Sequence, residues 1–107
     1  MYKVSHLPIA RKDIHDITFY ISDTLNAPKA ALDLIDAIAK SVSLLEQFPY
    51  VHRIYKSSEP LEHEYRALYV KNYAVFYVVD EERHVVEIHR VIYAKRDLQK
   101  ALMPESS

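Results

Sequence analysis

The sequence predicts an α+β domain of order β-α-α-β-β-β, with a helical hairpin packed on an antiparallel sheet and a short helical turn at the C-terminal end. Two observations carry that prediction. Apolar residues recur at three- and four-residue spacing through the first half, and the second half breaks into three short runs rich in β-branched and aromatic residues. A third bounds it: 107 residues, half of them hydrophobic and 27% charged, suit one domain spanning 1–107 with a real core.

The run Tyr2 to Leu7 alternates in character and stops at Pro8, the pattern of a short strand followed by a proline-started helix. Ile14, Ile17, Ile21 and Leu25 then form the stripe of an amphipathic helix over Pro8 to Thr24. Asn26 is the expected cap of a second helix, with Pro28 in its first turn. Ala31, Leu34, Ile35, Ile38, Val42 and Leu45 make its buried face, which ends before Pro49. The connection is so short that the two helices must run antiparallel.

From Phe48 to Leu61 the periodicity dissolves into a long loop. Tyr65–Val70, Tyr73–Val79 and Val85–Tyr93 follow as consecutive antiparallel strands, turning at Lys71-Asn72 and over Asp80–His84. Asp97 suits the positive end of a short closing helix, and 103–107 is expected to be a frayed polar tail.

Glycine and cysteine are both absent. Without cysteine there is no disulfide framework and no thiolate metal site. Without glycine, a Gly-based phosphate loop is excluded, and positive-φ positions are expected at Asn72, Asp80 or a similarly tolerant residue. The six histidines are scattered, with no i, i+4 pair on a helix, so no metal and no cofactor is expected. No window approaches the roughly 18 to 20 apolar residues of a membrane span, and the start lacks an apolar signal core. No membrane association is expected, and the predicted compartment is the cytoplasm.

The net charge of −1 conceals an uneven distribution. Residues 73–82 carry three acids and no base, whereas 83–100 hold Arg83, Arg90, Lys95, Arg96 and Lys100 against Glu87 and Asp97. The basic end is the candidate contact surface.

That end also carries a specific stretch: Arg66 ahead of Lys71-Asn72-Tyr73, the strand Val75-Phe76-Tyr77, and the closing His89-Arg90-Val91-Ile92-Tyr93-Ala94-Lys95-Arg96-Asp97. With Ala10, Asp13, Ile14, Ile17, Tyr20, Ile21, Leu45, Phe48 and Pro49 in the helical half, it resembles the RelE/ParE superfamily of toxins from bacterial toxin–antitoxin pairs. The resemblance implies a growth-inhibiting toxin held by a cognate antitoxin, as a toxin–antitoxin hetero-oligomer. RelE-like members act as ribosome-dependent messenger endoribonucleases; ParE-like members poison DNA gyrase by binding.

The nuclease class implies an arginine near the start of the middle strand, where this chain has Ala74, and a terminal tyrosine without counterpart after Asp97. The ParE-like branch is therefore favoured, with Arg66, Lys71, Tyr93, Lys95 and Arg96 as target-binding residues. Were the chain a metal-independent ribonuclease acting on mRNA at the translating ribosome, Arg66, His89, Tyr93 and Arg96 would be its catalytic candidates. The tyrosines interleaved with bases would suit a stacking surface and equally an ordinary sheet core. In a regular strand Arg90 is in phase with Val86, Ile88 and Ile92, which makes it a paired, core-ordering arginine unless a bulge turns it. His89 then shares the opposite face with Glu87. Antitoxin docking is expected on the exposed helical hairpin and on an uncovered sheet edge.

Overall fold

The computed structural model describes residues 1–103. Its elements are β1 (Lys3–His6), α1 (Pro8–Phe19), α2 (Pro28–Ser43), β2 (Arg66–Val70), β3 (Tyr73–Asp80), β4 (Val85–Tyr93) and α3 (Leu98–Leu102). This is the predicted order. Of the tail expected at 103–107, Met103 caps α3, its amide donating to the carbonyls of Gln99 and Lys100, while 104–107 lie outside the described residues. No helix among the described residues is long and apolar enough to cross a membrane.

Pro8 and Pro28 open α1 and α2, where a missing N–H costs nothing. Ile14, Ile17 and Ile21 pack on the core as expected, but Leu25 does not: it is 54% exposed. The cause is a π-helical turn over Tyr20–Thr24, closed by the Leu25 amide donating to the Tyr20 carbonyl at 2.9 Å. The wider turn takes Leu25 out of phase with the stripe. Asn26 is not the cap of α2 either. It adopts φ 52° and reverses the chain, a left-handed conformation asparagine tolerates, leaving Ala27 as N-cap with no side-chain bond.

The sheet order is β1-β4-β3-β2. The last three strands pair antiparallel as predicted, and β1 joins β4 in parallel, Lys3 opposite Val85 through His6 opposite Ile88, so the whole sheet is mixed. A parallel pair needs a long connection, which here runs through both helices, the loop and the β2–β3 hairpin. Lys71 (φ 53°) and His84 (φ 54°) take the positive-φ positions expected at Asn72 and Asp80. In a two-residue connection the first position carries the reversal. Asp80 acts through its side chain instead, accepting the Arg83 amide at 3.1 Å, and His84 stacks on Tyr2 with centroids 4.7 Å apart.

Each face of the sheet has its own core. On the front, Leu34, Ile38, Val42 and Leu45 cover Leu68, Val70, Val75, Tyr77, Val86, Ile88 and Val91. On the back, Tyr65, Ala67, Ala74, Phe76 and Ile92 are buried with Leu102 of α3, under Tyr55 and Leu61 of the long loop. The sheet edge expected to be bare is partly closed by that loop. Ile54 bridges Arg66, the Tyr55 amide donates to the Tyr65 carbonyl at 2.7 Å, and the Ala67 amide to the Arg53 carbonyl at 3.2 Å.

Candidate functional site

The chain leaves β4 beside the β2–β3 turn. Tyr73 pairs with Tyr93, their rings edge to face at 5.7 Å; the Ala94 amide donates to the Asn72 carbonyl at 2.8 Å, and the Arg96 amide to the Tyr93 carbonyl at 3.0 Å. These bonds gather Lys71, Tyr93, Lys95 and Arg96 at one end of the sheet. Lys71, Tyr93 and Arg96 line a groove of about 930 Å³ that runs on between α1 and α2, where Ile17, Tyr20, Ile21 and Leu25 supply apolar surface. Lys71, Lys95 and Arg96 have no ion-pair partner among the described residues.

Arg66 is not part of this group. It starts β2, five residues from Lys71, or about 17 Å at roughly 3.4 Å per residue. Its guanidinium lies 4.9 Å over the Tyr50 ring and donates to the His52 carbonyl at 2.7 Å. It belongs to a separate cluster in which Tyr2 and Tyr50 both donate to the same Glu81 oxygen. That shared bond pushes the Tyr2 hydroxyl up to about 12 and holds Glu81 below the usual carboxylate range.

The four candidates for ribonuclease chemistry do not share one site: Arg96 borders one groove with Tyr93 and another cavity with His89, and the other three are divided between the faces. Arg66 alternates with Leu68 and Val70 on the front, and Tyr93 lies opposite the front-packed Tyr73. His89 sits against Tyr65 on the back, ring centroids 5.3 Å apart. Ala74, where a phosphate clamp would stand, is fully buried opposite Ile92, with no room for a long cation.

A bulge in β4 explains the position of His89. Phe76 faces Arg90 while Tyr77 faces Ile88, so His89 has no cross-strand partner. Its Nε2 is 2.7 Å from Glu87 Oε1, the same-face pair expected from alternation. Burial pushes the imidazole below its ordinary pKa, against the opposing pull of Glu87. The bulge also resets the phase of the strand. Arg90 thus falls in step with Ile92 and Phe76 on the back, and not with Val86 and Ile88 as a regular strand would have it.

Arg90 is nonetheless paired. Its Nε and Nη2 donate to the two Asp13 oxygens at 2.8 and 3.0 Å, and Nη1 donates to the Ala101 carbonyl at 3.2 Å. Asp13 also accepts the Val91 amide at 2.9 Å, continuing the edge of β4 where β1 has ended. The Asp13 carboxylate holds the guanidinium firmly charged. Sequence reasoning assigned Asp13 no such partner. The available signal was an acid between Ala10 and Ile14, next to the buried stripe of α1, since a half-buried carboxylate requires a cation.

Residues 4–98 match the sequence model of the ParE toxin of the type II toxin–antitoxin system parDE. Curated protein sequences give no match. Among solved structures, the chain is similar to one from the chromosomal ParDE system of P. aeruginosa, with TM-score 0.71 and 20% identity over 89% of this chain and 98% of that one. It is also similar to the RelBE2 toxin–antitoxin complex of Mycobacterium tuberculosis, at TM-score 0.60 and 20% identity over 86% and 96% of the two chains. The intact E. coli RelBE toxin–antitoxin complex gives TM-score 0.58 and 16% identity over 90% and 100%. At these identities the likeness speaks to the fold.

Proposed function

The chain belongs to the ParE toxin family of type II toxin–antitoxin systems, and we propose that it arrests growth by binding and poisoning DNA gyrase through Lys71, Tyr93, Lys95 and Arg96. The observation that carries this reading is the convergence of those four at one end of the sheet, while the residues a nuclease would need stand on two faces. Exposed cations beside an exposed tyrosine form a recognition surface, because none is tied down by an acid among the described residues. Arg66 stays outside it, committed to Tyr50 and His52. The reading takes 1–107 as one toxin domain acting in the cytoplasm, where its target is.

A cognate antitoxin is the second partner. The groove between α1 and α2, with Tyr20 and Leu25 exposed beside it, suits an amphipathic segment lying along the hairpin. The M. tuberculosis and E. coli structures of the same fold are toxin–antitoxin complexes, which supports the expectation of a hetero-oligomer.

The test is a cleavage assay with purified gyrase, ATP and supercoiled plasmid. Added toxin is expected to accumulate broken DNA, and Arg96→Ala and Lys71→Ala to need about tenfold more protein, the effect of one charged contact. Primer extension on RNA from induced cells should show no new 5′ ends. Intact plasmid together with codon-linked cuts in messages would overturn the proposal in favour of the ribonuclease.

A further inference from the structure

The histidines are scattered in sequence but not all of them in space. His63, exposed on the stretch that leads into β2, and His89, buried at the bulge of β4, have ring centroids 5.0 Å apart. Tyr65 stands against both, 5.8 Å from His63 and 5.3 Å from His89. Two imidazoles that share a tetrahedral zinc ion, each bonded at roughly 2.0 to 2.1 Å, have ring centres about 5 Å apart. The pair already has that spacing.

His89 is also prepared as a ligand. Its Nε2 lies 2.7 Å from Glu87 Oε1, and with Nε2–H donating to the carboxylate, Nδ1 keeps its lone pair. No buried side-chain nitrogen among the described residues lacks a partner, so Nδ1, which has no protein partner there, is reached by solvent. A carboxylate behind the ring is how proteins fix the tautomer and the aim of a ligating histidine.

The surrounding charge is mixed. Burial pushes the His89 imidazole down, while Glu87 and Glu62 pull the other way, so both carboxylates bear on the ring and would attract a cation. Arg90, next along β4, is neutralised by Asp13. Arg96 and Lys100 border His89 from the α3 side, across a cavity of about 740 Å³, and oppose a cation. Among the described residues no group of three acids, histidines or cysteines is in place to hold a metal. The protein therefore supplies two nitrogens, and the other places fall to water or to the exposed Glu62. Imidazole ligands suit zinc, whereas calcium and magnesium take oxygen.

We propose that His63 and His89 bind a zinc ion through their ring nitrogens, with Glu87 orienting His89 and water or Glu62 completing the tetrahedron. The ion ties the stretch ahead of β2 to β4 and so fastens the loop side of the back core. The inference uses none of the residues assigned to gyrase, and it holds whichever target the toxin has.

The experiment is NMR titration of the full chain with zinc chloride at neutral pH, with magnesium chloride as the control. The His63 and His89 ring signals are expected to move together and saturate at one equivalent of zinc, and to stay in place with magnesium. His63→Ala, at an exposed position that leaves the fold intact, should keep the metal-free melting temperature and bind zinc at least about tenfold more weakly. Glu87→Gln should weaken binding about tenfold through His89 alone. Zinc should raise the melting temperature of the parent but not of His63→Ala, and the gain should fade in mild acid, where protons compete for the same nitrogens. Shifts at His63 with His89 unmoved would reveal an adventitious ion only. That result, or a His63→Ala protein that binds zinc as the parent does, overturns the proposal.

Discussion

The two faces of the sheet are buried by different means. The front lies under α2, whose Ala31, Leu34, Ile38 and Val42 form one regular stripe, extended by Leu45. The back lies under a patchwork: Tyr55 and Leu61 from a loop without regular structure, and Leu98, Ala101 and Leu102 from a helix of five residues. The front core is thus the product of local periodicity, and the back core the product of contacts between distant segments. Such an assembly is less redundant, because a five-residue helix is not stable by itself and holds only while it is docked.

The sharpest way to break that comparison is Ala74→Arg. Ala74 is fully buried in the back core, so the new side chain must either stay inside unpaired or lift α3 from the sheet. Overpacking and a buried charge together should cost about 4 kcal/mol or more, much of a typical domain's stability. Tyr69→Arg provides the contrast on the same strand face, since Tyr69 is 56% exposed and should tolerate the change within about 0.5 kcal/mol. Urea denaturation of both decides it. If Ala74→Arg unfolds at the parental midpoint, the back layer is loosely held and the description of it as a core fails.

A second prediction concerns the joint between the two layers. Arg90 binds Asp13 on α1 and the Ala101 carbonyl on α3, so one guanidinium ties the front helices to the back cover. The pair is largely shielded, at 23% and 13% side-chain exposure, and removing one partner strands the other. Arg90→Ala should lower stability by about 3 kcal/mol. Asp13→Ala should cost at least as much, since it also orphans the Val91 amide. The double variant should cost clearly less than the two single losses added, and strict additivity in a double-mutant cycle would show that the contact carries no coupling.

The same division governed how much could be read in advance. The helix stripes as far as Ile21 and the three antiparallel strands follow from spacing, because each depends on neighbours within a few residues, whereas the meeting of Lys71 with Tyr93, Lys95 and Arg96 depends on the β3–β4 register. The bulge at His89 does not follow from spacing. Nothing in Ile88-His89-Arg90 marks a register slip, which falls opposite the step from Phe76 to Tyr77. That one slip moved Arg90 to the back, while the Glu87–His89 pair stayed as alternation has it. Arg66 was misplaced for a related reason: strand order sets it apart from Arg96 only once the β2–β3 register is known, and its contact with Tyr50 crosses the irregular loop. Asp13 and Arg90, 77 positions apart, were visible singly and not as a pair.

The smallest predicted effect lies at the tip of the sheet, on neither face, and bears on what the basic end is for. Lys71 holds φ 53° without the freedom of glycine, a conformation that costs a non-glycine residue of order 1 kcal/mol. Lys71→Gly removes that strain but loosens the unfolded chain, so the net gain should be near 0.5 kcal/mol. A strained residue whose removal stabilises the fold is retained for its side chain or not at all. If Lys71 meets the target, Lys71→Gly should raise the melting temperature by a degree or two while weakening growth arrest. A variant both more stable and fully toxic would take Lys71 off the recognition surface, leaving Tyr93, Lys95 and Arg96 to carry it.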